Sequence, residues 1–546
     1  MKSHIHVICV LLLMTLASCL STKESVDSIY FNGHIYTMDS AIQTAEVIIV
    51  HQGKIKDIGP KNLLDKYSSE QLIDLKGEWV YPGFIDAHCH FLGHANNQLQ
   101  CQLMGSPSWQ AVIDSLMLFE KSLQKNEALL GRGWDQNDWS DKSFPNNQLL
   151  NELFPDRPVI LKRIDGHAVI CNQKALDICN INLKTQIKGG EIIQFNKQLT
   201  GVLVDNAVNL VDHFFTFQHN QKLLHAIQKT EQYCFSKGLT TLADAGLPLK
   251  ECLYLDSLGK THQRQIFLYL MLNPDSNAIA FAKSNDIYEN ELTHIGAFKL
   301  YADGALGSRG AKLKHDYCDR FHHNGYWVTD AKTIQAFCQD IYQNTNYQVN
   351  THCIGDSANV LLLNLYGQQL KTKNDRRWRI EHAQLVDPLD RSLFGKYSII
   401  PSVQPTHATS DAPWVNQRIC EQRLPSAYAY QSLLKQNGYL ALGTDFPVEY
   451  IDPFYTIYSA VFRLSATQNL DKPFGLDEHL SIDQTLRGMS IWAAKASRLE
   501  HRKGSLSKGK DADFVVINRD FYHLKHGKDI LNSHVIMTVV NGNKVY

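Results

Sequence analysis

Between residues 295 and 445, four apolar runs each carry, at or near their end, a side chain that can bind a metal or move a proton. IGAFKLYA holds Lys299, QVNTHCI holds His352, RWRIEHA holds His382 and YLALGTD closes on Asp445. Short apolar runs alternating with helical patterns read as parallel βα units. A parallel barrel presents its reactive groups at the C-terminal ends of its strands. A (β/α)8 barrel of about 250 residues allots roughly 31 to each unit. From position 352 to position 382 is 30 residues, one unit. From 382 to 445 is 63, two units, with SIIPSVQ as the strand between, and from 299 to 352 is 53, one unit and a long loop.

GEWVYPGFIDAH and GLTTLADA are further candidate strands. His88 and His90 flank Cys89 on the first, so their side chains share a face. Two imidazoles on one face can hold one cation, although such a pair taken alone more often settles as hydrogen-bonded core histidines. From His90 to Lys299 is 209 residues. If these mark strands one and four, three units need about 93 residues, so a large insertion falls within residues 95–240, above the active face. It contains GRGWDQNDW and RIDGHAVICNQKAL, with Trp134, Trp139 and His167 as candidate pocket residues; tryptophans equally anchor a subdomain core. Lys299, between Phe298 and Leu300, has two readings. It threads its head to water, or beside two cations it reacts with carbon dioxide to become an anionic carbamate bridge. Asp356 is placed to N-cap SANVLLLNLYGQQL, and Ser481 with Gln484 has capping-box spacing ahead of IDQTLRGMSIW.

The chain ends have another texture. Asn32-Gly33 lies between SIYF and HIYTM, and Gln52-Gly53 between EVIIV and KIKDIG, both hairpin signals. The tail repeats it in ADFVVIN, VIMTVV, Asn541-Gly542 and NKVY. One small β domain assembled from both ends is expected. Before it, Lys2 precedes VICVLLLMTL, ten uncharged residues at Val7–Leu16. That is too short to cross a bilayer core of about 30 Å and suits a signal-peptide core. Leu16-Ala17-Ser18-Cys19 resembles a bacterial lipobox, which implies cleavage before Cys19 and a mature chain held to a cell-envelope membrane by acyl chains on that cysteine. An unmodified secretory signal is the alternative. The expected organisation is a signal at 1–18, β-domain pieces at 19–80 and 501–546, and a barrel at 81–500.

Charge narrows the partners. With 54 Lys+Arg against 55 Asp+Glu the net charge is −1, so there is no cationic field to recruit nucleic acid. The 12 cysteines include no CxxC pair; neither a structural zinc knuckle nor a specific disulfide is predicted.

GEWVYPGFIDAHCH, KLYADGALGSRGA, THCIGD, RIEHAQL, ALGTDFPVE and GSLSKGKDADFVVI, in this order, resemble the motif series of the amidohydrolase superfamily. More narrowly they resemble its amidohydrolase-3 group of YtcJ-like proteins and N-substituted formamide deformylase, with the two insertion motifs matching as well. The resemblance implies an α/β fold: a distorted TIM (β/α)8 barrel, a composite β-sandwich from both chain ends and an insertion subdomain over the active face. It implies His88 and His90 on one zinc ion, His352 and His382 on a second, carboxylated Lys299 bridging the two, and Asp445 as ligand and general base. Asp86 is either a support behind these ligands or a buried turn residue. His167, Arg309, His407 and Trp134 are candidate substrate contacts, Arg309 equally a structural ion-pair partner. The function implied is hydrolysis of an amide, formamide or cyclic amide by hydroxide that the metal makes available, on a small-molecule substrate. A deaminase on the same scaffold and a non-catalytic, lipid-anchored binding protein are the alternatives, and a homodimer stays open.

Overall fold

A computed structural model describes residues 23–125 and 127–546. Cys19 and the apolar run before it lie outside the described residues. Eight parallel strands form the central sheet in chain order: β1 (Phe84–Cys89), β2 (Leu239–Leu247), β3 (Phe267–Leu272), β4 (Thr293–Tyr301), β5 (Gln348–Cys353), β6 (Arg379–His382), β7 (Ile400–Val403) and β8 (Ala441–Leu442). β3, from QIFLYLML, joins the strands expected from the sequence.

The strands are apolar on both faces, as burial in a parallel barrel demands. On β3, Leu268, Leu270 and Leu272 pack outward in the helix layer with Phe298 and Leu300 of β4. The alternate residues Phe267, Tyr269 and Met271 pack with Ile85, Ala87, Ala243 and Ala297, together with Ala493, Ala494 and Leu499. On β4 this alternation turns Lys299 the same way as Ala297, toward the barrel interior.

The sheet closes into a cylinder by the segment that follows β8. Asp445 donates its N–H to the carbonyl of His88 at 2.7 Å, and His90 donates to the carbonyl of Phe446 at 2.8 Å. Asp86 fastens the seam, accepting from the Thr444 N–H at 3.0 Å, the Thr444 hydroxyl at 2.6 Å and the His88 N–H at 3.1 Å. Gly443 permits this approach, because a Cβ there would lie 2.5 Å from the His88 nitrogen.

The insertion is a subdomain with its own six-stranded sheet, ordered Gly190–Phe195, Gln198–Asp205, Ala168–Cys171, Val159–Arg163, Leu129–Trp134, Cys101–Gln102. The chain ends share one eight-stranded sheet, in which Phe514–Ile517 pairs antiparallel with Trp79–Pro82. Gln52-Gly53 and Asn541-Gly542 turn hairpins there with positive φ at both residues, the type I′ signature.

Several expectations are corrected. Asn32-Gly33 is no hairpin: strand Ser28–Tyr36 runs through it, and both halves pair with Thr44–His51, Phe31 opposite Val47 and Ile35 opposite Ala45. Asn32, at φ +60, donates its side chain to Asp74 at 2.8 Å, so the turn-forming dipeptide makes a bulge. Gly355, not Asp356, caps helix Asp356–Leu370, while the Asp356 carboxylate accepts from the N–H groups of Lys314 and Ser357. Ser481 and Gln484 do form a capping box. A disulfide joins Cys318 to Cys420, 102 residues apart; tertiary folding makes a pairing that no local spacing announces.

Candidate metal centre

The strand ends link four of the expected side chains in a chain of close contacts. Asp445 Oδ1 lies 3.2 Å from His90 Nε2 and 3.6 Å from His88 Nε2, and Lys299 Nζ lies 3.2 Å from His88 Nε2. The ring of His382 is 4.9 Å from that of His88, and the ring of His352 is 4.6 Å from that of His382, centroid to centroid. One donor atom each from His88, His382 and Asp445 falls within 4.8 Å of the others.

His88 donates Nδ1–H to Glu381 at 2.5 Å, because a carboxylate only accepts. His382 donates Nδ1–H to the amide oxygen of Gln404 at 2.8 Å. Each bond fixes the tautomer with its lone pair on Nε2, the arrangement of metal-binding histidines. Burial pushes the pKa of His88 down to about 4 and those of His352 and His382 well below the ordinary histidine value, with neighbouring cationic groups adding to it. The rings are therefore neutral, the form that ligates. Burial would raise the carboxyl of Asp445, but His88, His90 and His382 outweigh it and hold the group ionised. Burial, ahead of any charge, lowers Lys299 to about 8.

Among the described residues, His352 Nε2 and Asp445 Oδ1 are buried without a hydrogen-bond partner. An orphaned imidazole nitrogen and an orphaned carboxylate oxygen are costly in a protein interior. A divalent cation would satisfy both, so this donor set fits one.

Local backbone explains the aim of two side chains. On β6, Arg379 and Glu381 face inward, and Arg379 donates to the carbonyl of Ala87 at 2.6 Å and pairs with Glu381 at 2.7 Å. His382 would then face outward; its φ of +74° ends the strand and swings the imidazole round to the same site. Asp445, at φ +61°, is turned likewise while its N–H stays on His88.

A cavity of about 1300 Å3 opens from this cluster, walled by the barrel ends and by the insertion. His407, on helix Pro405–Ser410, lines it with Nε2 3.7 Å from Asp445 Oδ2. His167 lines it from the insertion, its ring 4.9 Å from that of His352.

Two proposed contacts are elsewhere. Trp134 is fully buried in the insertion core beside Trp139 and Phe144, its indole N–H donated to the Leu161 carbonyl at 2.9 Å; Trp139 is the one that reaches the cavity. Arg309 lies outside the cavity lining and spends its guanidinium on Asp319, at 3.0 and 2.9 Å, because its φ of +65° turns it away. Asp86 belongs to the barrel seam. Glu381 is a functional residue beyond those expected from the sequence; its one signal there is an acid two residues after Arg379 in an otherwise apolar strand.

The profile of the Amidohydrolase family matches residues 71–546. YtcJ of Bacillus subtilis (strain 168) is 31% identical over 535 residues, covering 95% of this chain and 99% of that protein. N-substituted formamide deformylase of Arthrobacter pascens is 24% identical, covering 94% and 97%. Among solved structures, a metal-dependent hydrolase from Pyrococcus horikoshii OT3 is similar in fold, with a TM-score of 0.74 and 24% identity over 91% of this chain and 98% of the other. The chain belongs to the amidohydrolase family.

Proposed function

We propose that the protein is a metal-dependent hydrolase that cleaves the C–N bond of a small amide, formamide or cyclic amide. The observation that carries this reading is the buried meeting of His88, His382 and Asp445 at the mouth of the cavity, with His90, His352 and Lys299 around them. His88 and His90 with Asp445, and His352 with His382, would hold divalent cations, zinc fitting the nitrogen and oxygen donors. Lys299, as its carbamate, would join the two sites; its position 3.2 Å from His88 and its burial-weakened basicity favour the neutral amine that such a reaction needs. When bound, the metal supplies water of lowered pKa and polarises a carbonyl.

The chain's own part is proton handling and positioning. Asp445, ionised and touching His90, is the group placed to take a proton from water and pass it to the departing nitrogen, which leaves as a neutral amine. Glu381 and Gln404 keep His88 and His382 from turning. Trp139 and His407 bound the space available to the substrate.

The test is metal analysis of the purified protein followed by assay of N-acyl amino acids, N-benzylformamide, dipeptides and dihydrouracil. At least one class should be cleaved, the linear substrates to amine and acid in equal amounts and dihydrouracil to its ring-opened ureido acid. A fully metallated preparation that cleaves none of them refutes the reading, and ammonia released from an aminopurine or aminopyrimidine replaces it with deamination.

We further infer attachment to the bacterial cell envelope through Cys19, supported by the motif ending Ala17-Ser18-Cys19 and by the Cys318–Cys420 disulfide, a bond suited to an oxidising compartment. Labelled palmitate should enter the wild-type protein and not the Cys19→Ala variant; equal labelling refutes it.

A further inference from the structure

Arg132, on the insertion strand Leu129–Trp134, lines the cavity. Its guanidinium lies beside the turn around Gly166, where a Cβ would be 3.7 Å from Nη1 and 3.8 Å from Nη2. Two of its donors hold it in place. Nη2 donates to the Ile164 carbonyl at 3.0 Å. Nε donates at 3.1 Å to the amide oxygen of Asn97, whose NH2 group donates in turn to the Gly93 carbonyl at 3.1 Å. Asn97 ends the helix Phe91–Asn97 that starts next to His90, so this clamp ties the guanidinium to the side of the barrel that carries two proposed metal ligands. An arginine has five N–H groups in one plane. With Nε–H and one N–H of Nη2 committed, three have no partner among the described residues.

Among the described residues no carboxylate forms an ion pair with Arg132, which sets it apart from its neighbours on the cavity wall. Arg163 is neutralised by Asp135 at 3.1 Å and Asp165 at 2.7 Å. Lys162, opposite Arg132 in the parallel register of the two strands, has Asp212 at 3.3 Å and lies over the Phe215 ring at 4.1 Å. Asp165 and Asp445 act on Arg132 only from a distance. Asp165 is engaged by Arg163 and by the His167 N–H at 3.0 Å, and Asp445 by the histidine cluster. A guanidinium keeps its charge in proteins, and a cation withdrawn from water ordinarily has an acid beside it. For Arg132 the place of that acid opens on the cavity.

We propose that Arg132 is a specificity-determining residue that binds a carboxylate carried by the substrate, so that the amides cleaved are anionic ones such as N-acyl amino acids and dipeptides. The inference rests on the hydrolase reading above. A carboxylate can take two of the three remaining N–H groups, the planar match that makes arginine the usual partner of such groups. The two committed donors fix the plane in which it must approach. Lys162 adds positive field from the neighbouring strand while its own head stays with Asp212. A clamp between the insertion and Asn97 needs only the two committed donors, and a neutral amide side chain could supply them without bringing a charge to the wall.

The experiment compares wild type, Arg132→Gln and Arg132→Lys as metallated full-length proteins. Turnover is read as the ratio of kcat/KM for N-acetylglycine to that for N-acetylethanolamine, its neutral counterpart. Binding is read by calorimetry as the ratio of affinities for N-methylsulfonylglycine and N-methylsulfonylethanolamine, which carry no amide to cleave. Wild type should favour the anion of each pair, and Arg132→Gln should lose about 10–100-fold of that preference, the usual strength of hydrogen bonding to a charged group. The loss in turnover should appear mainly in KM, because bound substrate and transition state make the contact alike. Arg132→Lys should keep part of the preference, being charged without the planar fork. A wild type that favours neither member of the binding pair, or an Arg132→Gln variant that keeps the full preference, overturns the proposal. If the wild type cleaves nothing, the hydrolase reading fails by itself, and the binding pair alone judges Arg132. If Arg132→Gln does not fold, Arg132→Lys decides, and a loss of less than about threefold in its preference overturns the proposal.

Discussion

The N–H of Asp445 donates to the carbonyl of His88 across 2.7 Å, so two proposed metal ligands 357 positions apart are fastened by main chain before any side chain is considered. Replacing the Asp445 side chain leaves that fastening in place. Asp445→Asn should therefore fold, keep much of its metal and lose about 10²–10⁴-fold in kcat, the range for a general acid–base group. Circular dichroism, metal analysis and initial rates on the same preparation check this; an unchanged kcat removes the role.

Gly443 is the position where that seam has no room for a side chain. Gly443→Ala would place a methyl 2.5 Å from the His88 nitrogen and 2.8 Å from Asp86 Oδ1. Overpacking of this kind costs about 1–3 kcal/mol. The variant should unfold at lower urea and also lose activity, since the displaced atoms carry His88. Wild-type stability would mean that the seam can widen.

The disulfide between Cys318 and Cys420 closes a separation of 102 residues. Removing such a bond typically costs about 2–4 kcal/mol. Cys318→Ser with Cys420→Ser should lower the midpoint of thermal unfolding, and reductant should lower it for wild type but not for the double variant. An identical response to reductant in both proteins contradicts the bond.

Asp511 gives a pH signature remote from the metal-binding cluster. Burial alone would raise its carboxyl, but Lys503, Arg502 and Lys54 outweigh burial and bring it to about 2. A folded-state pKa below the unfolded value contributes stability in full above the unfolded pKa, and loses it as pH falls through the folded one. Wild-type stability should drop between about pH 4 and pH 2. Asp511→Asn should be less stable at pH 7 and show a shallower decline through that window. Parallel pH profiles would show that the ion pairs add nothing.

The barrel was legible because two features coincide: near-continuous apolar runs such as IGAFKLYA, and their recurrence near every thirty residues. β3 escaped notice because QIFLYLML carries no reactive residue to flag it. The six proposed ligands stood out as polar groups at the ends of apolar runs, whereas Glu381 did not, since its worth depends on His88 arriving from the opposite side of the barrel. Trp134 and Trp139 are alike in one dimension. Both are buried in the insertion core, but Trp134 ends a strand whereas Trp139 follows the next turn and lines the cavity, a difference that tertiary packing makes and local sequence does not encode. Arg309 shows the same limit, its direction set by one backbone angle.

His88, Lys299, His352, His382 and Asp445 all sit on the cylinder, whereas Trp139, Arg163, His167 and Asp205 come from the excursion that leaves after β1 and returns at β2. The proposed metal ligands and this part of the cavity wall are thereby written on separable lengths of polypeptide, so the stretch from Cys101 to Asp205 can reshape the wall while the cylinder keeps its ligands.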